Sequence, residues 1–418
     1  MNSITNTPTY QAKSSKSDIS GSWLTSILFT MLEKLAHGQL IIQEGSNTRT
    51  FGSDSSLRAH VTINDSRAYR KILFGGSIGA GEAYIDKLWD VDNLTALVRI
   101  MVLNMSLLDR MERGLAWLNR PVDIVKHLLN SNNKKGAKRN ILAHYDLGND
   151  MYSSFLDPTM MYSSAIYPSS ESNLVEAQRN KLDIICKKLG LKPTDKVVEI
   201  GSGWGGFAIH AARNYGCHVT TTTISDAQYA EASKRIAALG LTDQITLVQK
   251  DYRELTGTFD KLVSIEMIEA VGHKYLPEFF KQCECLLKPD GKMLIQAITI
   301  ADQKYAQYTR SVDFIQRYIF PGGCVPSNAR MLQVIADKTD MVVRSIDDFG
   351  FDYARTIKDW RKRFSNSYEY LLKKGYDETF KRLWEFYLCY CEGGFLERSI
   401  SVVHVVATRP GSRQIIER

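Results

Sequence analysis

From residue 196 to the end, short apolar runs alternate with longer stretches whose apolar positions recur at helical spacing. Lys196–Ile200, His218–Ile224, Ile245–Lys250, Lys261–Ile265 and Lys292–Ile300 read as strands, and Ala227–Leu239 reads as one of the helices between them. That alternation predicts an α/β fold built on a doubly wound, mostly parallel sheet. Met341–Ile346 and Ser401–Thr408 add two late strands separated by helical segments. A seven-stranded sheet closed by a reversed last strand accommodates them. The stretch Ala301–Lys338 is too long for a connector, so it is expected to form a lid at the carboxyl edge of the sheet.

The pattern before residue 131 is different. Gln39–Gln43 and Ala59–Asn64 read as short strands, the first ending at the turn signal Glu44-Gly-Ser-Asn47, while Ala68–Phe74 and Asn93–Asn104 read as helical. A small N-terminal α+β domain over residues 21–130 is expected. Residues 1–20 are rich in Ser, Thr, Asn and Lys, lack an apolar run, and read as a disordered tail without a signal peptide. Trp23–Leu35 is interrupted by Thr25, Ser26 and Glu33 and is too short to cross a bilayer. Residues 131–140 lose all apolar periodicity and carry Lys134, Lys135, Lys138 and Arg139. They read as a basic linker, with a second domain over 141–418.

Composition adds bounds. The chain has 418 residues, 44% hydrophobic and 24% charged, enough for two domains with cores of their own. The seven cysteines include the C-x-C pairs Cys283/Cys285 and Cys389/Cys391 but no metal-ligand spacing, which suits reduced thiols in a cytoplasmic protein. The formal net charge is +7, with a second basic cluster at Arg361-Lys-Arg363. Such clusters draw anionic lipid by about 1 kcal/mol per residue near a membrane surface, or form a solvated face. They lack the interleaved aromatics of a nucleic-acid site.

The strongest chemical signal is Lys196-Val-Val-Glu-Ile-Gly-Ser-Gly-Trp-Gly-Gly206, a strand entering a glycine-dense turn before a helix over Phe207–Tyr215. Such a turn lets backbone amides approach a ligand where a Cβ would collide, and the helix behind it offers free N–H groups. Gly201, Gly203 and Gly206 satisfy the G-x-G-x-x-G pattern of dinucleotide-binding folds, which leaves a dehydrogenase open. Glu199, two residues before the first glycine, favours a methyltransferase, and it reads also as a cap for the turn.

Several segments together resemble one family, the cyclopropane-fatty-acyl-phospholipid synthases. They are His144-Tyr-Asp-Leu-Gly-Asn-Asp150, Phe155–Ala165, Glu176-Ala-Gln178, the glycine turn, Thr223–Gln228, Phe259–Glu269, Asp313–Gly323, Trp384–Tyr387 and Cys391–Phe395. Gly38-Gln-Leu40 and Gly75–Tyr84 carry the likeness into the first unit, which the resemblance implies is lipid-associated. It implies a class I methyltransferase fold of Rossmann-like type. Carried over by position, Tyr162, Ser163, Gly201, Gly203, Thr223, Ile224 and Gln228 would hold S-adenosylmethionine, with Asp251 and Tyr252 near its adenine. The Gln228 amide suits ribose hydroxyls. Tyr162 and Tyr252 read equally well as core.

The resemblance also implies a bicarbonate ion as base, at a site of Cys, Glu, His and Tyr. Glu269 and Tyr353 match; Ser164 stands for the Cys and Gln296 for the His, while Ala270 stands where many members have His. Ser164 matters little if its backbone amide is the contact. Gln296 cannot take up a proton at neutral pH, though it can donate a hydrogen bond to an anion. Attack by an alkene on the cofactor's methyl leaves an alkyl cation that water must not reach. Phe314, Tyr318, Phe320 and Tyr353 are candidates to line its pocket, each also a plausible core residue, and ring faces can stabilise such charge by about 2 kcal/mol. Proton loss from the new methyl closes a cyclopropane ring; loss from a neighbouring carbon gives a branched alkene.

The implied activity is transfer of a methylene unit from S-adenosylmethionine to the double bond of an unsaturated acyl chain of a phospholipid. A fatty-acyl C-methyltransferase is the nearest alternative, then a non-enzymatic lipid-binding protein. The expected partners are phospholipid acyl chains and an anionic membrane surface, met from the cytoplasmic side, with a homodimer left open.

Overall fold

A computed structural model describes residues 21–105 and 148–413. The N-terminal tail, the basic linker with its four cations, and His144–Leu147 lie outside the described residues. The domain boundary drawn at the linker lies outside them too.

The first unit is a four-stranded sheet in the order β2-β1-β3-β4, built from β1 (Gln39–Glu44), β2 (Asn47–Phe51), β3 (Arg58–Ile63) and β4 (Trp89–Val91). Glu44-Gly-Ser-Asn47 turns β1 into its antiparallel partner β2, with Gly45 at φ 57° supplying a conformation that side chains disfavour. β2 and β4 are unmarked in the sequence for physical reasons. β2 is an edge strand exposed at every position but Phe51, and β4 spans three residues, so neither shows apolar alternation. The helix beginning at Arg67 breaks at Gly76 (φ 54°, ψ −135°), close to the expected end at Phe74, and then resumes to Ile85.

The second sheet has seven strands: β5 (Lys196–Ile200), β6 (His218–Thr222), β7 (Ile245–Val248), β8 (Phe259–Ile265), β9 (Leu287–Ile300), β10 (Val342–Asp348) and β11 (Ile400–Thr408). Their order is β10-β11-β9-β8-β5-β6-β7, and only β11 runs against the rest. This is the doubly wound sheet with a reversed last strand that the alternation predicts. The carboxyl ends of β5, β6 and β8 open on one side, where ligands bind in such sheets.

The stretch expected as a lid divides in two. The helix Asn328–Lys338 packs on the helix Leu276–Leu286 and on β10, so it belongs to the layer covering the sheet. Only the part before it, with the short helices Asp302–Tyr308 and Phe314–Tyr318, lies over the carboxyl edge. The helix Glu378–Leu396 joins the two units, packing on Gly350–Asn366 of the second and on Leu94–Leu103 and Arg67–Ile85 of the first. Glycines allow the approach: a Cβ on Gly393 would stand 2.6 Å from Val98 Cγ1, and one on Gly81 would stand 2.5 Å from the Phe314 ring. Phe314 also lies 4.6 Å from the Phe386 ring centre, so one apolar core runs through both units.

Candidate functional site

The apolar strand β5 delivers Glu199 to a buried position, where it accepts a hydrogen bond from Thr221 Oγ at 2.6 Å. Burial pushes its carboxyl up to about 8. The chain then turns through Gly201 (φ 95°), Gly203 (φ 49°) and Gly205 (φ 87°) into the helix Gly206–Tyr215. A Cβ on Gly203 would meet no atom within 4 Å, because it points into a cavity of about 890 Å³. Gly206 has a packing role instead: a Cβ there would fall 2.4 Å from Met161 Sδ.

All nine residues expected to hold the cofactor line that cavity: Tyr162, Ser163, Gly201, Gly203, Thr223, Ile224, Gln228, Asp251 and Tyr252. Thr223 Oγ donates to Gln228 Oε1 at 2.9 Å, fixing the amide on the cavity wall. Asp251 is held by Arg253 at 2.7 Å, and Tyr252 meets the Phe279 ring edge-on. Tyr162 packs between Tyr152 and Trp360, with its hydroxyl 2.8 Å from that of Tyr387. The empty cradle at Gly203, a polar wall for hydroxyls and an aromatic wall suit S-adenosylmethionine.

The cavity extends well beyond a nucleotide. It continues past Met160 and Phe320 to the inner face of the four-stranded sheet, where Leu40, Ile42, Val61 and Ile63 line it. Of the four aromatic candidates, Phe320 and Tyr353 line it and Phe314 and Tyr318 do not. Phe314 fills the seam between the units, and Tyr318 bonds Glu82 there. Tyr308, Tyr387 and Tyr390 take their places on the wall.

Three of the four residues expected at the base site, Ser164, Gln296 and Tyr353, come together around an acid that had no assigned role. Glu266 follows the last residue of β8 and has φ 47°, in the left-handed region; its amide donates to the Gln296 carbonyl at 2.8 Å. Its carboxylate accepts from the Ser164 amide at 2.8 Å, from Gln296 Nε2 at 2.7 Å and from the Tyr353 hydroxyl at 2.6 Å. Glu269 stands outside this set. Its Oε1 accepts from the Ile298 amide at 2.5 Å, and its buried Oε2 has no partner. Burial first and the Glu266 charge second push the Glu269 carboxyl up to about 8, so it carries a proton at neutral pH.

Two further residues support the cluster. His404 on β11 faces Gln296 on β9; its Nε2 donates to Gln296 Oε1 at 3.0 Å, while Lys188 Nζ donates to its Nδ1 at 3.2 Å. Gln296 is thereby oriented with its amide nitrogen toward Glu266. Lys181, fully buried, donates to Ser163 Oγ at 2.9 Å, and its charge acts on Glu266, Asp157 and Glu199. Burial lowers its ammonium to about 8. The sequence carried a signal for Lys181, since it lies at i+3 from Gln178 on the buried face of the helix Leu174–Leu189, where a lysine is out of place. The resemblance points to Glu269, and nothing in the sequence singles out Glu266.

A bicarbonate ion does not fit this arrangement. The backbone amide at Ser164, Gln296 and Tyr353, which would hold it, already donate to Glu266.

The family model for mycolic acid cyclopropane synthetase matches residues 132–405. The chain belongs to this family. Among its curated relatives are the tuberculostearic acid methyltransferase UfaA1 of Mycobacterium tuberculosis, 35% identical over 82% of this chain and 81% of that protein. The cyclopropane-fatty-acyl-phospholipid synthase of Escherichia coli is 36% identical over 85% of this chain and 89% of that protein. Among solved structures, the cyclopropane synthase MmaA2 from Mycobacterium tuberculosis superposes with a TM-score of 0.61 at 28% identity, covering 65% of this chain and 98% of that one. The mycolic acid cyclopropane synthase CmaA1, solved with SAH and CTAB, matches equally well, with a TM-score of 0.61 at 28% identity over 65% of this chain and 98% of that one. As a member of this family, the chain is an S-adenosylmethionine-dependent transferase.

Proposed function

We propose that this cyclopropane synthetase relative adds a methylene unit from S-adenosylmethionine to the double bond of an unsaturated acyl chain of a phospholipid. The observation that carries the reading is one continuous cavity with a nucleotide cradle at one end and an apolar wall reaching the first sheet at the other. An acyl chain fits the apolar part, and its double bond can then meet the cofactor beside Tyr353 and Glu266.

When bound, S-adenosylmethionine supplies an electrophilic methyl, so no enzyme nucleophile is needed. The residues bind, orient and exclude water. Gly201 and Gly203 let the backbone approach the cofactor, and Thr223, Gln228 and Asp251 offer polar contacts to it. Phe320, Tyr387 and Tyr390 close the wall against water and present ring faces to a cationic acyl carbon, each worth about 2 kcal/mol where desolvated. A bicarbonate base, implied by the resemblance, finds its donors taken by Glu266. The first unit serves as a lipid-associated layer, and the protein works as a peripheral enzyme on an anionic membrane face.

A second reading, C-methylation to a branched acyl product, draws on Gln296 in place of a proton-carrying His and on the relative named for tuberculostearic acid. Mass spectrometry separates them. Incubation with S-adenosylmethionine and a cis-unsaturated phospholipid should give chains enlarged by one CH2 and free of a double bond. A chain that gains CH2 and keeps a double bond assigns the branched reading. Gly203→Val, which puts a branched side chain into the cradle, should abolish both product and calorimetric cofactor binding, and lipid left unaltered by the unsubstituted enzyme overturns both readings.

A further inference from the structure

The acid at position 266 lines the cavity, and its geometry is that of a built site. Three donors converge on its two oxygens: the Ser164 amide and Gln296 Nε2 on Oε1, and the Tyr353 hydroxyl on Oε2. Ser164 and Gln296 lie behind the carboxylate, whereas Glu266 and Tyr353 are on the cavity wall. Carboxylate and bicarbonate share a planar O–C–O group with the same acceptor directions. A side chain that fills those directions does the same chemistry without a diffusible ion.

We propose that Glu266 is a catalytic residue, the internal base that takes the proton from the acyl cation in place of bicarbonate. This rests on the reading of the site as a one-carbon transferase for acyl chains. In the step, a C–H bond of the cationic chain breaks and its electron pair closes a C–C bond of the ring, or a C=C bond in the branched outcome. The proton goes to the Glu266 carboxylate and returns to solvent after the products leave.

Three further observations agree. Glu266 has φ 47°, a conformation that costs an ordinary side chain of order 1–3 kcal/mol and persists where the surroundings enforce it. Here that turn brings the side chain back against Ser164 and Tyr353 while its amide is held by the Gln296 carbonyl. Second, burial raises both acids, but the Tyr353, Ser164 and Gln296 hydrogen bonds and the Lys181 charge oppose that rise at Glu266, whereas Glu269 has only backbone amides against it. Third, the His404 contact sets the Gln296 amide as a donor toward Glu266. A glutamine there suits a permanent carboxylate, which needs a fixed donor and no second proton carrier.

Glu266→Gly tests this directly, because glycine adopts φ 47° freely and leaves a space with three donors. With carbonate stripped from the buffer, the unsubstituted enzyme should keep its rate, and Glu266→Gly should lose at least about 100-fold, the lower range for a general base. Added bicarbonate or formate should restore much of the loss in Glu266→Gly and nothing in the unsubstituted enzyme. Glu266→Gln should lose as much, bind the cofactor within a few-fold, and resist rescue. A parallel measurement is independent of turnover: 13C-bicarbonate, observed by NMR with S-adenosylhomocysteine present, should broaden with Glu266→Gly and stay sharp with the unsubstituted enzyme. Carbonate dependence of the unsubstituted enzyme, bicarbonate binding by it, or an unimpaired Glu266→Gly overturns the proposal. If no one-carbon lipid product forms at all, the functional reading falls, and the NMR comparison still decides whether Glu266 occupies the anion site.

Discussion

Glu266 and Glu269 lie three residues apart, yet their surroundings differ. Glu266 gathers three donors; Glu269 has one amide and a buried oxygen with no partner. An unfolded glutamate ionises near pH 4.3, whereas Glu269 in the folded chain keeps its proton up to about 8. Between those values the unfolded state binds fewer protons, so Glu269 makes stability fall as pH rises through that window. Glu199, Glu266 and Lys181 titrate nearby, so the test is a comparison. Melting temperature should fall less between pH 5 and pH 8 for Glu269→Gln than for the unsubstituted chain, and its turnover should stay within about 10-fold. An equal fall in both proteins would mean that Glu269 is ionised in the fold. A 100-fold loss in Glu269→Gln beside a mild Glu266→Gln would exchange the roles of the two acids.

Elements position these residues through contacts distant in sequence. The helix Glu378–Leu396 is the clearest case, because one face meets the catalytic unit and another meets the first sheet's helices. Thr95 and Arg361 both donate to Glu392 on it, at 3.1 and 3.0 Å, tying the two units through one buried carboxylate. Gly393 allows the helix to lie against Val98. Gly393→Ala would drive a Cβ into that contact, and overpacking of this kind costs about 1–3 kcal/mol. We expect a lower denaturant midpoint, measured by chemical unfolding, with weakened activity as the cavity wall shifts. An unchanged midpoint would show that the seam between the units is loosely packed.

At the scale of the whole molecule, the cavity and the charge act together. Among the described residues no helix is long and apolar enough to cross a membrane. On the proposed reading of a peripheral enzyme, the net charge of +7 would attract anionic headgroups. Exposed charges are screened over about 8 Å at physiological ionic strength. Binding to anionic vesicles, followed by co-sedimentation, should therefore weaken as salt rises, and neutral vesicles should bind less at low salt. Equal binding to both would assign the association to apolar contact alone.

Local periodicity and turn chemistry were enough to read the seven strands of the catalytic sheet and the glycine turn, because each is written in neighbouring residues; the reversed β11 came from the sheet architecture that accommodates the late strands. The nine residues expected at the cofactor were implied by the family resemblance instead, and the structure brings all of them to the cavity wall. Edge strands β2 and β4 were invisible, since an exposed or three-residue strand leaves no apolar rhythm. The wall aromatics were divided by packing: Phe320 faces the cavity, while Phe314 is drawn into the seam by Phe386 and Gly81. The base site was decided by tertiary structure in the same way. Ser164, Gln296, Tyr353 and His404 come from segments far apart in the chain, and only their convergence shows that Glu266, with its left-handed backbone, is the carboxylate they hold. Sequence fixes which groups are present and which local geometry each favours; the long-range hydrogen bonds and burial that set a carboxyl's state exist only once the chain has closed around it.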